Sequence, residues 1–196
     1  WPFFAFCALM AFPIIRIAFG DQWDAAVPLM RWLCGAAIVW ALTFQCNSFF
    51  TAVGRYREVT RVELQYQLLR IPLTILAAFY SLEAVAAAQV LVYTSSAVLY
   101  YRKVVQYESL RLGRVVTALV PSGLVTLSTC AVPVGVLLLW PGSLMHQYFA
   151  AFAVAATGGG LGWLLGIVLF RHPLLAEMLR VVSSLTRRFG WASQER

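Results

Sequence analysis

The basic residues of this chain alternate with six long apolar segments, and this alternation constrains the fold more than any other feature. Each apolar segment is long enough to cross the hydrocarbon core of a bilayer as a helix, which takes roughly 17–25 residues. The segments run over Phe3–Phe19, Val27–Val53, Val62–Tyr80, Ala84–Tyr101, Val115–Trp140 and Tyr148–Phe170. Lys and Arg occur in the connections after the second, fourth and sixth segments, and neither occurs after the first, third or fifth. We therefore expect an all-α, polytopic transmembrane bundle with about six spans.

The distribution of charge also predicts the orientation of the bundle. Short loops that carry Lys and Arg stay on the cytoplasmic side of a membrane, so the basic connections and the C-terminus are expected there. Of the basic residues, only Arg16 and Arg31 lie toward the predicted outer side. We expect residues 1–170 to form the transmembrane bundle. Residues 171–196 are expected to form a cytoplasmic, basic, amphipathic tail on the inner membrane surface.

Composition narrows the class of protein. Apolar residues make up 61% of the chain and charged residues 12%, against about 25% charged in soluble domains. The net charge of +7 is explained by topology and by attraction to membrane lipids, so we expect no nucleic-acid partner. The cysteines lie singly inside apolar segments and the two histidines stand alone, so no metal site and no cofactor are predicted. No catalytic motif is present, and we expect a protein that is not an enzyme.

Polar side chains at membrane depth are the candidates for function, because burying them in lipid is costly. Arg31 lies about one turn into the second segment and Arg70 about two turns into the third, while Gln45 and Asn47 lie on the second. Guanidinium and amide groups of this kind suit the phosphate or sugar of a polar headgroup. The alternatives stay open, because arginines near a span end snorkel to the headgroups and amides form hydrogen bonds between helices.

Glycine recurs every fourth residue on the last segment, at Gly158, Gly162 and Gly166. A ridge of small residues lets two membrane helices approach closely. We expect tight packing at this ridge, with a sliding or hinging face as the alternative.

One stretch resembles a known family. Residues 13–31, PIIRIAFGDQWDAAVPLMR, are similar to the junction between two spans in bacterial O-antigen and exopolysaccharide repeat-unit flippases of the multidrug/oligosaccharidyl-lipid/polysaccharide exporter superfamily. The shared pattern is an apolar-Phe-Gly turn followed by an acidic-Trp-x-x-Ala-x-Pro-Leu run. Ala52-Val53-Gly54-Arg55 resembles the exit of that second span.

The resemblance implies a fold and a function. Such proteins have twelve or more helices in two pseudo-symmetric halves and move a polyprenyl-diphosphate-linked oligosaccharide across the cytoplasmic membrane by alternating access. This chain, which begins at Trp1, would be the C-terminal part and would partner a missing N-terminal half. Arg31, Arg70, Gln45 and Asn47 would then contribute to the cavity. The alternatives are a multidrug or metabolite exporter of the same superfamily and a non-transporting membrane assembly subunit.

Overall fold

A computed structural model describes residues 1–108, 112–140, 147–178 and 180 of the chain; the side chains of Gln45, Tyr107, Glu108 and Leu112 fall outside that description. The described residues form helices and contain no strand. The helices are α1 (Pro2–Leu9), α2 (Ala11–Phe19), α3 (Val27–Ala52), α4 (Tyr56–Ala78), α5 (Leu82–Glu108), α6 (Leu112–Leu139) and α7 (Tyr148–Leu169), with a 3₁₀ helix at Asp21–Ala26 before α3.

The prediction of an all-α fold is confirmed, and the apolar helices agree with a multi-pass membrane protein. Four stretches of the described chain are long and apolar enough to cross a membrane: Asp21–Ala52, Leu82–Gln106, Gly113–Leu139 and Tyr148–Leu169. The pair α1 and α2 makes a fifth if the two helices are counted as one bent span. Helix α4, which covers the third predicted segment, is not among them.

The first predicted segment is two helices rather than one. The axes of α1 and α2 differ by 76°, and the break falls at Met10, whose side chain is fully buried. Pro13 accounts for this break, because it has no N–H to donate and its ring would clash with the carbonyl of Leu9 in a continuous helix. The length of the apolar run alone predicted one straight helix.

The long helices pack as two units. The first, called the three-helix unit, consists of α3, α4 and α5, in which α5 packs on both of the others. The second, called the hairpin unit, consists of α6 and α7. The bent pair α1–α2 joins them, since α1 packs on α3 and α6 while α2 packs on α3 and α7. A hydrogen bond from Trp1 Nε1 to the carbonyl of Ile38 (2.9 Å) fixes the start of α1 near the middle of α3.

The hairpin unit is held together by the glycine ridge. A methyl group on Gly158 would collide with the side chain of Val132, and one on Gly162 would collide with the backbone carbonyl of Ser128. Gly166 leaves no more room, because a methyl group there would collide with the Ser128 hydroxyl. The expectation of tight packing at this ridge is confirmed, since backbone and side-chain atoms of α6 fill the space that side chains on α7 would need.

Replacing Gly162 by alanine is expected to loosen the hairpin unit. The added methyl group meets backbone atoms that cannot rotate away, so we expect a loss of about 1–3 kcal/mol in the free energy of unfolding. Thermal unfolding in detergent measures this loss. Gly160→Ala is the matched control, because no atom lies within 4 Å of the added carbon there. Equal stability of the two variants would contradict this account of the ridge.

Candidate functional site

A cleft of about 880 Å³ lies between the three-helix unit and the hairpin unit. Its walls come from α3 and α5 on one side and from α6 and α7 on the other, and Trp1 and Pro2 of α1 lie at one end. Most of the lining is apolar, as with Leu42, Val98, Leu119 and Ile167. The lining of the cleft includes Tyr101 and Val115, which are followed and preceded in the sequence by Arg102 and Arg114. Its position makes it the candidate site of this chain, because it separates two units that each pack well internally.

Two polar side chains face each other in the wall of the cleft. The Nε2 atom of His172 lies 3.1 Å from Oγ of Ser122, and both residues line the cavity. The backbone N–H of Leu174 donates to Nδ1 of His172 (3.2 Å), which places the imidazole hydrogen on Nε2, so that His172 donates to Ser122. The contact joins the chain after α7 to the third turn of α6. Together with Thr94 of α5, it gives the cleft a small number of hydrogen-bonding groups in an apolar lining.

The chain turns sharply just before His172. Arg171 has a φ of 47°, in the left-handed region that favours glycine, and the N–H of His172 donates to the carbonyl of Ile167 (3.0 Å). This is a common way to end a helix, with the unusual feature that arginine holds the position. The turn directs His172 back to α6 and leaves the arginine exposed.

A second polar region lies between α4 and α5, which we call the α4–α5 seam. Most of its members contact a residue of the other helix, and Arg70 contacts Tyr66 of its own helix. The members are Glu58, Glu63, Tyr66, Arg70 and Thr74 of α4 and Gln89, Tyr93, Tyr100 and Lys103 of α5.

The contacts of the seam run along most of the length of α4. Lys103 Nζ lies 3.0 Å from Oε2 of Glu58, and the Tyr100 hydroxyl donates to Oε1 of Glu63 at 2.8 Å. Further along, the rings of Tyr66 and Tyr93 stack with centroids 6.4 Å apart. The amide of Gln89 donates to the hydroxyl of Thr74 at 3.4 Å. Each polar group of α4 that faces α5 thus has a partner there or within its own helix.

The opposite face of α4 is apolar in the second half of the helix. From Leu68 onward, the exposed side chains of α4 are apolar without exception, and they include Ile71, Ile75 and Leu76. This half is therefore polar toward the protein and apolar toward its surroundings. The first half exposes polar side chains as well, and these lower the mean hydropathy of α4 together with the seam: Arg57, Thr60, Arg61 and Gln65.

The predicted cavity residues do not gather at one place. Arg31 is exposed at the start of α3, whereas Asn47 is half-buried near its end, where its Oδ1 lies 3.4 Å from the hydroxyl of Thr51. Arg70 is half-buried in the seam, where it donates to the Tyr66 hydroxyl (3.1 Å) and its guanidinium lies 5.8 Å from that ring's centroid. The side chain of Gln45 lies outside the described part of the chain. Arg31, Arg70 and Asn47 do not line the cleft, and the role of all four in binding cargo stays a prediction.

Arg16 forms a two-pronged ion pair with Asp24, in which Nε lies 2.7 Å from Oδ1, and its guanidinium also lies over the Phe12 ring. This pair connects α2 to the 3₁₀ helix.

Sequence reasoning missed Glu63, Tyr100 and Ser122. Glu63 and Tyr100 are 37 residues apart and Ser122 and His172 are 50 apart, so no local pattern connects them. The spacing of Glu63, Tyr66 and Arg70 at i, i+3 and i+7 was the available signal, because it places all three on one face of a helix.

Comparison with known proteins adds no assignment. No protein-family model, no curated protein and no solved structure matches this chain. Within the described residues, no three His, Cys, Asp or Glu side chains come together in a way that holds a metal ion.

Tyr100→Phe is expected to weaken the seam. Tyr100 is 2% exposed, and its hydroxyl donates a hydrogen bond to the half-buried Glu63 carboxylate. Removing that donor is expected to lower the free energy of unfolding by about 1–2 kcal/mol. Denaturation in mixed micelles measures the change. Tyr93→Phe is the control, because the described contacts of Tyr93 are made by its ring. Equal free energies of unfolding for the two variants would show that the contact between Tyr100 and Glu63 does not stabilise the seam.

Proposed function

We propose that this chain forms part of a transporter that flips a polyprenyl-diphosphate-linked oligosaccharide across the bacterial cytoplasmic (inner) membrane, for the synthesis of O-antigen or exopolysaccharide. The observation that carries the proposal is the cleft between two separately packed helical units. Two rigid units that move about a joint are the arrangement that alternating access requires. The cargo class comes from the resemblance of residues 13–31, and no contact in this chain identifies it.

The bent pair α1–α2 is the element that would let the units move. It contacts both units, whereas direct packing between them is slight. The glycine ridge and the seam keep each unit rigid, so motion concentrates at the joint. In this proposal a second half of the protein completes the cavity, no cofactor takes part, and no chemical step occurs.

The proposal also includes six crossings with α4 as the third. A helix whose polar groups all face a neighbouring helix needs no water at membrane depth, whatever its average hydropathy. Such a helix suits lipid, and α4 has this distribution from Leu68 to its end. The crossing of α4 keeps the basic connections on one side, which agrees with a cytoplasmic C-terminus.

Cysteine labelling tests the crossing of α4. In a background without the native cysteines, Ser81→Cys is expected to react with a membrane-impermeant maleimide in intact cells. Arg57→Cys, at the other end of α4, is expected to react only after the cells are opened. The two positions would show the same accessibility if α4 lay on one side of the membrane.

Filling the cleft is expected to stop transport. Ala97 lines the cleft from α5, and a tryptophan there would occupy space that the cargo needs. We expect Ala97→Trp to abolish polysaccharide export in a strain that lacks the native protein, with normal amounts of variant protein in the membrane. Ala153→Trp is the matched control, because Ala153 is exposed on α7 and does not line the cleft. Full export by Ala97→Trp would exclude the cleft as the route.

A multidrug or metabolite exporter is the second candidate, and one observation favours it. The cleft is lined mainly by apolar side chains, with Trp163 among them, which suits an apolar solute. The same complementation assay separates the two, because a drug exporter would restore dye efflux and leave polysaccharide synthesis absent.

A further inference from the structure

Three arginines stand beside the cleft on its basic side. Arg102 follows the lining residue Tyr101 in α5, Arg114 precedes the lining residue Val115 in α6, and Arg171 precedes the lining residue His172 after α7. We call these three residues the arginine rim. Arg102 lies in α5, Arg114 lies in α6 and Arg171 lies just after α7, and all three side chains are exposed.

The arginine rim shares with Arg31 and Arg57 the absence of an ion pair among the described residues, and it differs from them in its place beside the cleft. Arg16 is paired with Asp24, while Arg61 and Lys103 are both paired with Glu58. Among the described residues, no carboxylate lies within ion-pair distance of Arg102, Arg114 or Arg171. The rim therefore keeps its positive charge at the edge of an apolar cavity.

The arginine rim and the cleft together are suited to binding an amphiphilic molecule. An apolar cavity beside exposed guanidinium groups is complementary to a molecule with an apolar chain and an anionic headgroup. Guanidinium groups bind phosphate through paired hydrogen bonds, and phosphate is the anion that lipids of the inner leaflet carry. The Ser122–His172 pair adds hydrogen-bonding groups to the lining of the same cleft.

We propose that Arg102, Arg114 and Arg171 bind the phosphate group of an inner-leaflet lipid whose apolar chain enters the cleft between the two units. These residues select phosphate-bearing lipids over neutral ones. The inference deepens the proposed function and rests on it, because it names the residues that would receive the cargo before it crosses.

Photolabelling in vesicles tests the selection. The whole protein is reconstituted in phosphatidylcholine vesicles with phosphatidic acid that carries a diazirine in its acyl chain. The matched probe is diacylglycerol with the same chain and no phosphate. Mass spectrometry of the labelled peptides is expected to find the phosphatidic acid label on cleft residues such as Leu119 and Trp163, at a level about fivefold or more above the diacylglycerol label.

Single substitutions then separate the rim from the general surface charge. Arg102→Gln, Arg114→Gln and Arg171→Gln are each expected to lower cleft labelling by phosphatidic acid about fivefold, the effect of one arginine near an anionic lipid. Arg57→Gln is the matched control, because Arg57 is exposed on the same predicted side and does not line the cleft. Equal losses for Arg57→Gln and the rim variants would overturn the inference, as would equal labelling by the two probes.

The failures of the two proposals can be told apart. Selective labelling of the cleft together with normal export by Ala97→Trp would support lipid binding and reject transport through the cleft. Absence of selective labelling together with loss of export in Ala97→Trp would reject the arginine rim as a phosphate site and leave the proposed transport standing.

Discussion

At membrane depth, the polar side chains of α4 can be satisfied only if they face another helix, and this requirement explains how the three-helix unit packs. Glu63, Tyr66 and Arg70 all lie on the face of α4 that meets α5. Leaving them toward lipid would cost several kcal/mol for each charged group. Helix α4 packs on α5, and α5 in turn packs on α3, so that the three helices form one packed unit. We propose that the apolar face of α4 from Leu68 onward lies against lipid.

The hairpin unit is built on a different principle. Its two helices pack closely because three glycines, which have no side chain, bring the backbone of α7 against α6: Gly158, Gly162 and Gly166. A polar seam in one unit and a glycine ridge in the other each favour packing within a unit. Neither device operates between the units, and a cleft is the consequence.

Much of the fold was predictable from the residues in order. The ends of α3 and α7 fall within one residue of the predicted segments, because length and apolarity determine a span without reference to its neighbours. The 76° bend at Met10 was not predictable in size, since Pro13 favours a break there without fixing its angle. The candidate site was harder to predict from the sequence than the bend. The cleft and the Ser122–His172 contact join residues from distant helices, and a sequence without its contacts does not specify which helices remain apart.

We propose that the three-helix unit and the hairpin unit move relative to each other about the cleft. Electron spin resonance distances between labels at Val98 and Val116, which line opposite walls, measure this motion most directly. In lipid bilayers we predict at least two distances, whose populations change when phosphate-bearing lipid is added. A single distance that stays constant with every lipid would contradict the claim and would make the cleft a fixed feature of a rigid bundle.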